Sequence, residues 1–308
     1  MPPFVPPLAR RSGRPAIALT RVCSPASTPV NGGGKALALS SIQTDLRKTD
    51  QDRYHATLFA PADKREALFA LYAFHHEIAR VAESVREPMM QAIRLQWWRE
   101  ALEGAREQKP RPHHTVTALA DLFAQHDLPA ELFEAMIDAR EDDVAETTFT
   151  DLLALERYCD ATSGNLMRLA SRILGEPHDD LAHLAGVTHA LAGILRAIPF
   201  HAARGKVYLP VDMLAEAGTS REEILQTHSG KKLGPVIARI AKFAREHLAA
   251  GRAIKPGKAL PAFLPAVTAP LYLDRVTAPD FDAFRTPVEI PLYRRQFAML
   301  RASWRGRT

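Results

Sequence analysis

From Asp45 to the C-terminus, apolar residues recur at spacings of three and four almost without interruption, and no segment reads as a convincing strand. A chain patterned this way must bury helical stripes against one another, which predicts an all-α fold. Helices are expected near 63–85, 88–105, 115–126, 129–144, 150–174, 179–204, 220–228, 231–252, 260–274 and 290–304. Pro88, Pro129 and Pro235 fall near helix starts, where proline is tolerated, while Gly104 and Gly175 are placed as stops. Neither an internal repeat nor an interdomain linker is visible, and the 46% apolar content is ample for one core. The expected organisation is one helical domain over 45–308, preceded by an extension over 1–44.

That extension is rich in Pro, Gly, Ser and Arg and reads as disordered. It holds Arg10, Arg11, Arg14, Arg21 and Lys35 with no acid before Asp45, so the formal net charge of +5 lies wholly within it. Arg- and Ser-rich, acid-poor composition suits an organellar transit peptide, but seven prolines in the first thirty residues spoil an amphipathic helix. A transit peptide and a non-folding extension both stay open. Gly32 to Lys35 invites a phosphate-loop reading, which fails because Pro29 and Ala36 stand where that loop needs a glycine and a hydroxyl. The body is charge-balanced, which speaks against nucleic-acid binding. Cys23 and Cys159 are the only cysteines, excluding a disulfide framework, a four-cysteine zinc site and an iron–sulfur cluster. The longest uncharged apolar stretch, Ala259 to Leu273, has 15 residues and three prolines, against the roughly 20 residues a membrane span needs.

Two segments carry a specific resemblance. The stretch 71–83 reads LYAFHHEIARVAE, and 194–210 reads ILRAIPFHAARGKVYLP; Arg53-Tyr54 to Arg65, the helix around Trp97-Trp98, and 158–175 support them in order and spacing. Together they resemble the squalene/phytoene synthase family, the head-to-head prenyltransferases. The resemblance implies a single-domain helical bundle of the isoprenoid-synthase type around a central apolar cavity. Family members ionise an allylic diphosphate with Mg2+ held by D-D-x-x-D on one helix and D-x-x-E-D on a facing one. Hard cations take oxygen ligands, and spacings of three and four put the acids on one helix face.

Carried over residue by residue, the family's acids fall in the first motif on Ala79, Arg80 and Glu83, and in the second on Ala197, Phe200 and His201. Only Glu83 keeps a carboxylate, and Glu77 is on the opposite side of its helix. Pro199 removes a backbone donor inside the second helix and is expected to bend it. The expected outcome is a mouth turned neutral to basic, with no catalytic residue and no metal. An anion or ligand pocket would draw on His76, Arg80, Glu83, Arg196, His201, Arg204 and Tyr208; the competing reading pairs Arg80 with Glu83 or Glu77 and makes the histidines satisfied core groups.

Within the family, the two segments resemble the branch associated with assembly of respiratory complex I. That resemblance implies a complex I subunit or assembly partner, and peripheral attachment at the matrix or cytoplasmic face of an inner membrane. The open alternatives are an active prenyltransferase, which would need Mg2+, and a non-catalytic isoprenoid or lipid carrier.

Other clusters read as structural. Asp179 and Asp180, with His178, His183 and His189 nearby, are natural cap and dipole partners of a helix start. His113-His114 and Glu141-Asp142-Asp143 are expected to be solvated. No G-x-S-x-G or H-E-x-x-H occurs. At the C-terminus Tyr293, Phe297, Leu300 and Trp304 form one helical stripe, with Arg294, Arg295, Arg301 and Arg305 largely beside it. Two readings stay open: a basic amphipathic helix lying on an anionic membrane, or a terminal helix whose stripe packs into the core.

Overall fold

The computed structural model describes residues 40–84, 87–144 and 148–308, so most of the expected extension lies outside the described residues. The helical body runs through α1 (Ser41–Thr49), α2 (Gln51–Thr57), α3 (Arg65–Ala79), α4 (Val81–Ser84), α5 (Pro88–Arg106) and α6 (His114–Gln125). It continues with α7 (Ala130–Val144), α8 (Leu152–Cys159), α9 (Asn165–Ile173), α10 (Asp179–Arg196), α11 (Ile198–Ala202) and α12 (Val211–Glu216). It closes with α13 (Arg221–Thr227), α14 (Gly234–Gly251), α15 (Leu260–Phe263), α16 (Ala269–Val276) and α17 (Leu292–Arg305). No strand occurs among the described residues, as the three-and-four periodicity requires. Helix α1 starts inside the stretch read as extension, because Ser40 accepts a hydrogen bond from the Gln43 amide and Ile42 and Leu46 are buried.

Helix α10 organises the bundle. It packs along α14, α9 and α16, and most of its length between Leu181 and Leu195 is buried, while Asp179, Asp180 and Arg196 at its ends stay exposed. Its first half buries Leu181, Ala182 and Ala185 with Phe74, Trp98, Phe133 and Phe263 in one core. Its second half buries Val187, Leu191 and Leu195 with Leu155, Ile237 and Leu273 in the other.

Three irregularities interrupt helices expected to be continuous, and each adjoins the cavity described below. Helix α3 ends at Ala79 and α4 restarts after Arg80; nothing in the sequence marks this break. Helix α10 ends at Arg196, and α11 begins beyond Ala197 with Pro199 near its N-terminus, so the proline's missing donor falls where no helical bond is needed. The expected bend is thus a full break. Between α8 and α9, Asp160–Gly164 widens into a π-helical turn, with the Thr162 hydroxyl donating to the Tyr158 carbonyl at 2.8 Å. Helix α10 presses directly on this turn: a Cβ on Gly186 would lie 2.5 Å from the Gly164 Cα. Only paired glycines permit that approach.

Candidate functional site

A cavity of about 220 Å3 opens between α3, α4, α7, α10 and α11, where the two resembling segments meet. Ala79 and Glu83 line it from the first segment, and Phe200, His201, Arg204 and Tyr208 from the second. Of the seven residues read as an anion pocket, Glu83, His201, Arg204 and Tyr208 therefore converge. The other three do not. Arg80 turns to a separate groove lined by Glu77, Trp97 and Trp98; His76 is half-buried outside the cavity lining; Arg196 lies over the Tyr272 ring, 4.6 Å from its centre. The cavity meets the face of this segment that carries His75, Ala79 and Ala82, about 100° round from the one that carries His76 and Arg80. Ala197 sits in the break between α10 and α11, outside the lining.

Much of the cavity's chemistry comes from residues that spacing did not single out. Asp143, read as solvated, is buried at 5% exposure. Its carboxylate accepts hydrogen bonds from Tyr158 at 2.9 Å, Tyr208 at 2.7 Å and Arg140 at 3.1 Å. Its backbone carbonyl accepts from Lys206, and Arg140 also donates to the Tyr158 oxygen at 2.7 Å. Burial works against the Arg140 charge, yet Tyr158 and Asp143 more than offset it and hold the guanidinium protonated. Burial likewise pushes the Tyr158 and Tyr208 hydroxyls well above their usual range. Arg53, also in the lining, is tied to Asp50 at 2.5 Å.

Three histidines line the same space. Burial holds His75 well below its ordinary value, lowers His189 to about 3 and lowers His201 to about 4, with nearby guanidinium groups adding to the effect. All three are neutral at physiological pH. The fixed charges of the lining are Arg53, Arg140, Arg204 and Lys206 against Glu83 and Asp143. An anionic group entering here meets a cationic wall.

The residues present do not fit the family's magnesium cage. Magnesium needs near-octahedral oxygen ligands, commonly one or two carboxylates shared with substrate phosphates. Glu83 is the single acid left at the motif positions, and Asp143 already spends its oxygens on two hydroxyls and a guanidinium. No step through a bound magnesium is available to this donor set.

The remaining clusters sort cleanly. The N-cap of α10 is His178 rather than an aspartate; Asp179 lies in the first turn and is gripped by Arg172 at 2.7 and 3.0 Å. His113 is not solvated but packs edge-on against Trp97 and Trp98, with the exposed His114 stacked on it. On α17 the stripe faces water: Tyr293, Phe297, Leu300 and Trp304 are 70, 65, 56 and 89% exposed, while Met299 and Ala302 face Leu260 and Leu264. The core-packed reading of the stripe is thereby overturned. Arg294, Arg301 and Arg305 are exposed beside it, but Arg295 turns inward to Asp52 at 2.5 Å and Gln51 at 3.1 Å and leaves the candidate surface set. Leu58 and Phe59 extend the patch across a groove shared with Tyr293 and Leu300. No helix among the described residues is long and apolar enough to cross a membrane.

An all-α bundle whose two helical segments face each other across a central cavity is the architecture of head-to-head prenyl synthases. The family model "Squalene/phytoene synthase" matches residues 46–295, and the chain belongs to that family. Its curated relatives include complex I assembly factor 6 of Homo sapiens, 33% identical over 80% of this chain and 78% of the relative. They also include a presqualene diphosphate synthase of Rhodopseudomonas palustris, 31% identical over 64% of this chain and 71% of the relative. Among solved structures, a dehydrosqualene synthase in complex with ligand superposes with a TM-score of 0.73 at 19% identity, covering 86% of this chain and 94% of the other.

Proposed function

We propose that this chain is a catalytically silent member of the squalene/phytoene synthase family that assists assembly of respiratory complex I from a position on the inner-membrane surface. The observation that carries the proposal is the cavity: five of the six family acids are replaced, and the one buried carboxylate of the lining, Asp143, is tied up by Tyr158, Tyr208 and Arg140. Such a cavity can hold an anionic head group by charge but cannot organise metal-assisted departure of diphosphate. The similarity to complex I assembly factor 6 supports the assembly role, since it spans four-fifths of the chain. The presqualene diphosphate synthase relatives keep prenyl transfer as the competing activity.

Attachment to the membrane is assigned to α17. Its exposed aromatic stripe, with Arg294, Arg301 and Arg305 alongside, suits the interface of an anionic bilayer, where each basic residue contributes about 1 kcal/mol. Deleting the gene and measuring complex I assembly together with squalene, hopanoid and carotenoid content in the same cells separates the readings. Loss of complex I with unchanged isoprenoids is expected; the reverse pattern would overturn the assembly role. With magnesium and farnesyl diphosphate the purified chain is expected to give no head-to-head product, because each lost electrostatic group costs roughly 100–1000-fold in rate. Product formation abolished by Glu83→Ala would restore the enzyme reading.

A further inference from the structure

A second set of ligating side chains converges outside the cavity, where α8, α10 and α14 meet. Glu156, His183 and His247 each bring one ligand atom into a group whose members all lie within 4.8 Å of one another. Glu156 Oε1 is 2.9 Å from His247 Nε2 and 3.3 Å from His183 Nε2. The partners of the opposite ring nitrogens give this closeness its meaning. His247 Nδ1 donates to the Phe243 carbonyl at 3.0 Å, which leaves Nε2 as the nitrogen that faces Glu156. His183 Nδ1 is 3.0 Å from Asp160 Oδ1, and its Nε2 faces Glu156. Two imidazole nitrogens and a carboxylate oxygen thus face one another, an arrangement held together by protons on the imidazoles or by a metal cation in their place.

We propose that Glu156, His183 and His247 form a binding site for one first-row divalent transition ion, with zinc the best match, His247 being oriented by the Phe243 carbonyl and His183 flanked by Asp160. The donor set fits zinc, whose sites commonly combine two histidines with a carboxylate and leave a fourth position for water. Imidazole donors disfavour magnesium, so this site is unrelated in chemistry to the family's acidic cage. The outer partners fit as well: ligating histidines characteristically donate their second ring hydrogen to a carboxylate or backbone carbonyl, which fixes the tautomer and aims the metal-binding nitrogen. Glu156, His183 and His247 are each half-buried, leaving room for a water ligand. Tetrahedral bonds of about 2.0–2.1 Å set donor atoms about 3.3 Å apart, so the Glu156–His183 spacing already fits and the Glu156–His247 spacing has only to open slightly, within reach of side-chain rotation on three fixed helices. Asp160 opens the π-helical turn whose Thr162 and Ser163 line the cavity, so an ion here would brace the turn from its first residue.

The test uses the full chain stripped with a chelator and titrated calorimetrically with zinc chloride, with magnesium chloride as a parallel arm. One zinc per chain and a raised melting temperature are expected, with no saturable magnesium uptake at this site. Glu156→Gln and His247→Gln should each weaken zinc binding by more than the roughly 10–100-fold that loss of an outer partner costs. His114→Gln, which alters the stacked His113–His114 pair, should leave binding unchanged. Cobalt(II) in place of zinc should give the visible ligand-field spectrum of a histidine-ligated site in the wild type, a readout independent of how the variants fold. The proposal fails if zinc uptake does not saturate at one equivalent, if both ligand variants bind as wild type, if His114→Gln abolishes uptake, or if cobalt gives only the aqua-ion spectrum.

Discussion

Arginines of the cavity and arginines of α17 occupy opposite physical situations. Arg53 is held by Asp50, and Arg140 by Asp143 and Tyr158. Arg294, Arg301 and Arg305 reach no acid among the described residues and stand beside aromatic rings turned to water. Charge removed from solvent must be matched internally, so each buried guanidinium commits its neighbours to structure. Charge left in solvent commits nothing. The cavity residues therefore set stability first and binding second, and the α17 residues the reverse.

The contrast breaks most visibly at Asp143. Asp143→Ala is expected to lower the free energy of unfolding by about 3–5 kcal/mol in denaturant titration, because Arg140 would remain buried without its counter-charge. A cost below about 1 kcal/mol would mean that the cluster is wetter than its burial implies.

Acid is the next probe. His189 and His201 have folded-state values near 3 and 4 through burial, against about 6.5 in an unfolded chain. Between those limits the unfolded state binds more protons than the folded one, so stability should be complete above about pH 6.5 and fall steadily toward pH 4. His201→Gln should flatten that slope in melting curves recorded across the window; an unchanged slope would remove His201 as its source.

Within α17 the two faces can be set against each other. Met299 is 1% exposed, and Met299→Ala should cost about 2–5 kcal/mol as a cavity mutation. Phe297→Ala on the exposed face should shift stability by less than about 0.5 kcal/mol. Replacing Arg294, Arg301 and Arg305 together by Gln should leave folding intact yet weaken co-sedimentation with anionic vesicles. The wild-type interaction should fade as salt shortens the screening length to about 8 Å. No sedimentation of wild type at low salt would reassign the stripe to a protein partner.

The all-α character and the long helices are readable from periodicity, because a 3.6-residue repeat survives any tertiary arrangement. The loss of the acidic cage is readable too, as it is a matter of which side chains stand at six positions. What spacing cannot convey is assembly at a distance. Asp143 ends an acidic run that looks solvated, and only folding brings Tyr208, 65 residues further on, to its carboxylate. Glu156 and His247 meet across 91 residues with no motif to announce them. Spacing likewise says which residues share a helix face and not which face a cavity will meet: the lining takes His75, Ala79 and Ala82 rather than His76 and Arg80.

The proline after Ala197 also bears on whether a metal cage could be built into this chain. Restoring acids at 197, 200 and 201 would place them on two helical segments rather than one, with the shorter one re-aimed by Pro199. Building such a cage thus has an order: the backbone must be straightened before carboxylates at these positions can share a metal, and straightening alone adds no ligand. Under the proposed function the fold is free to serve as a scaffold, because no single substitution sets up a metal cage here.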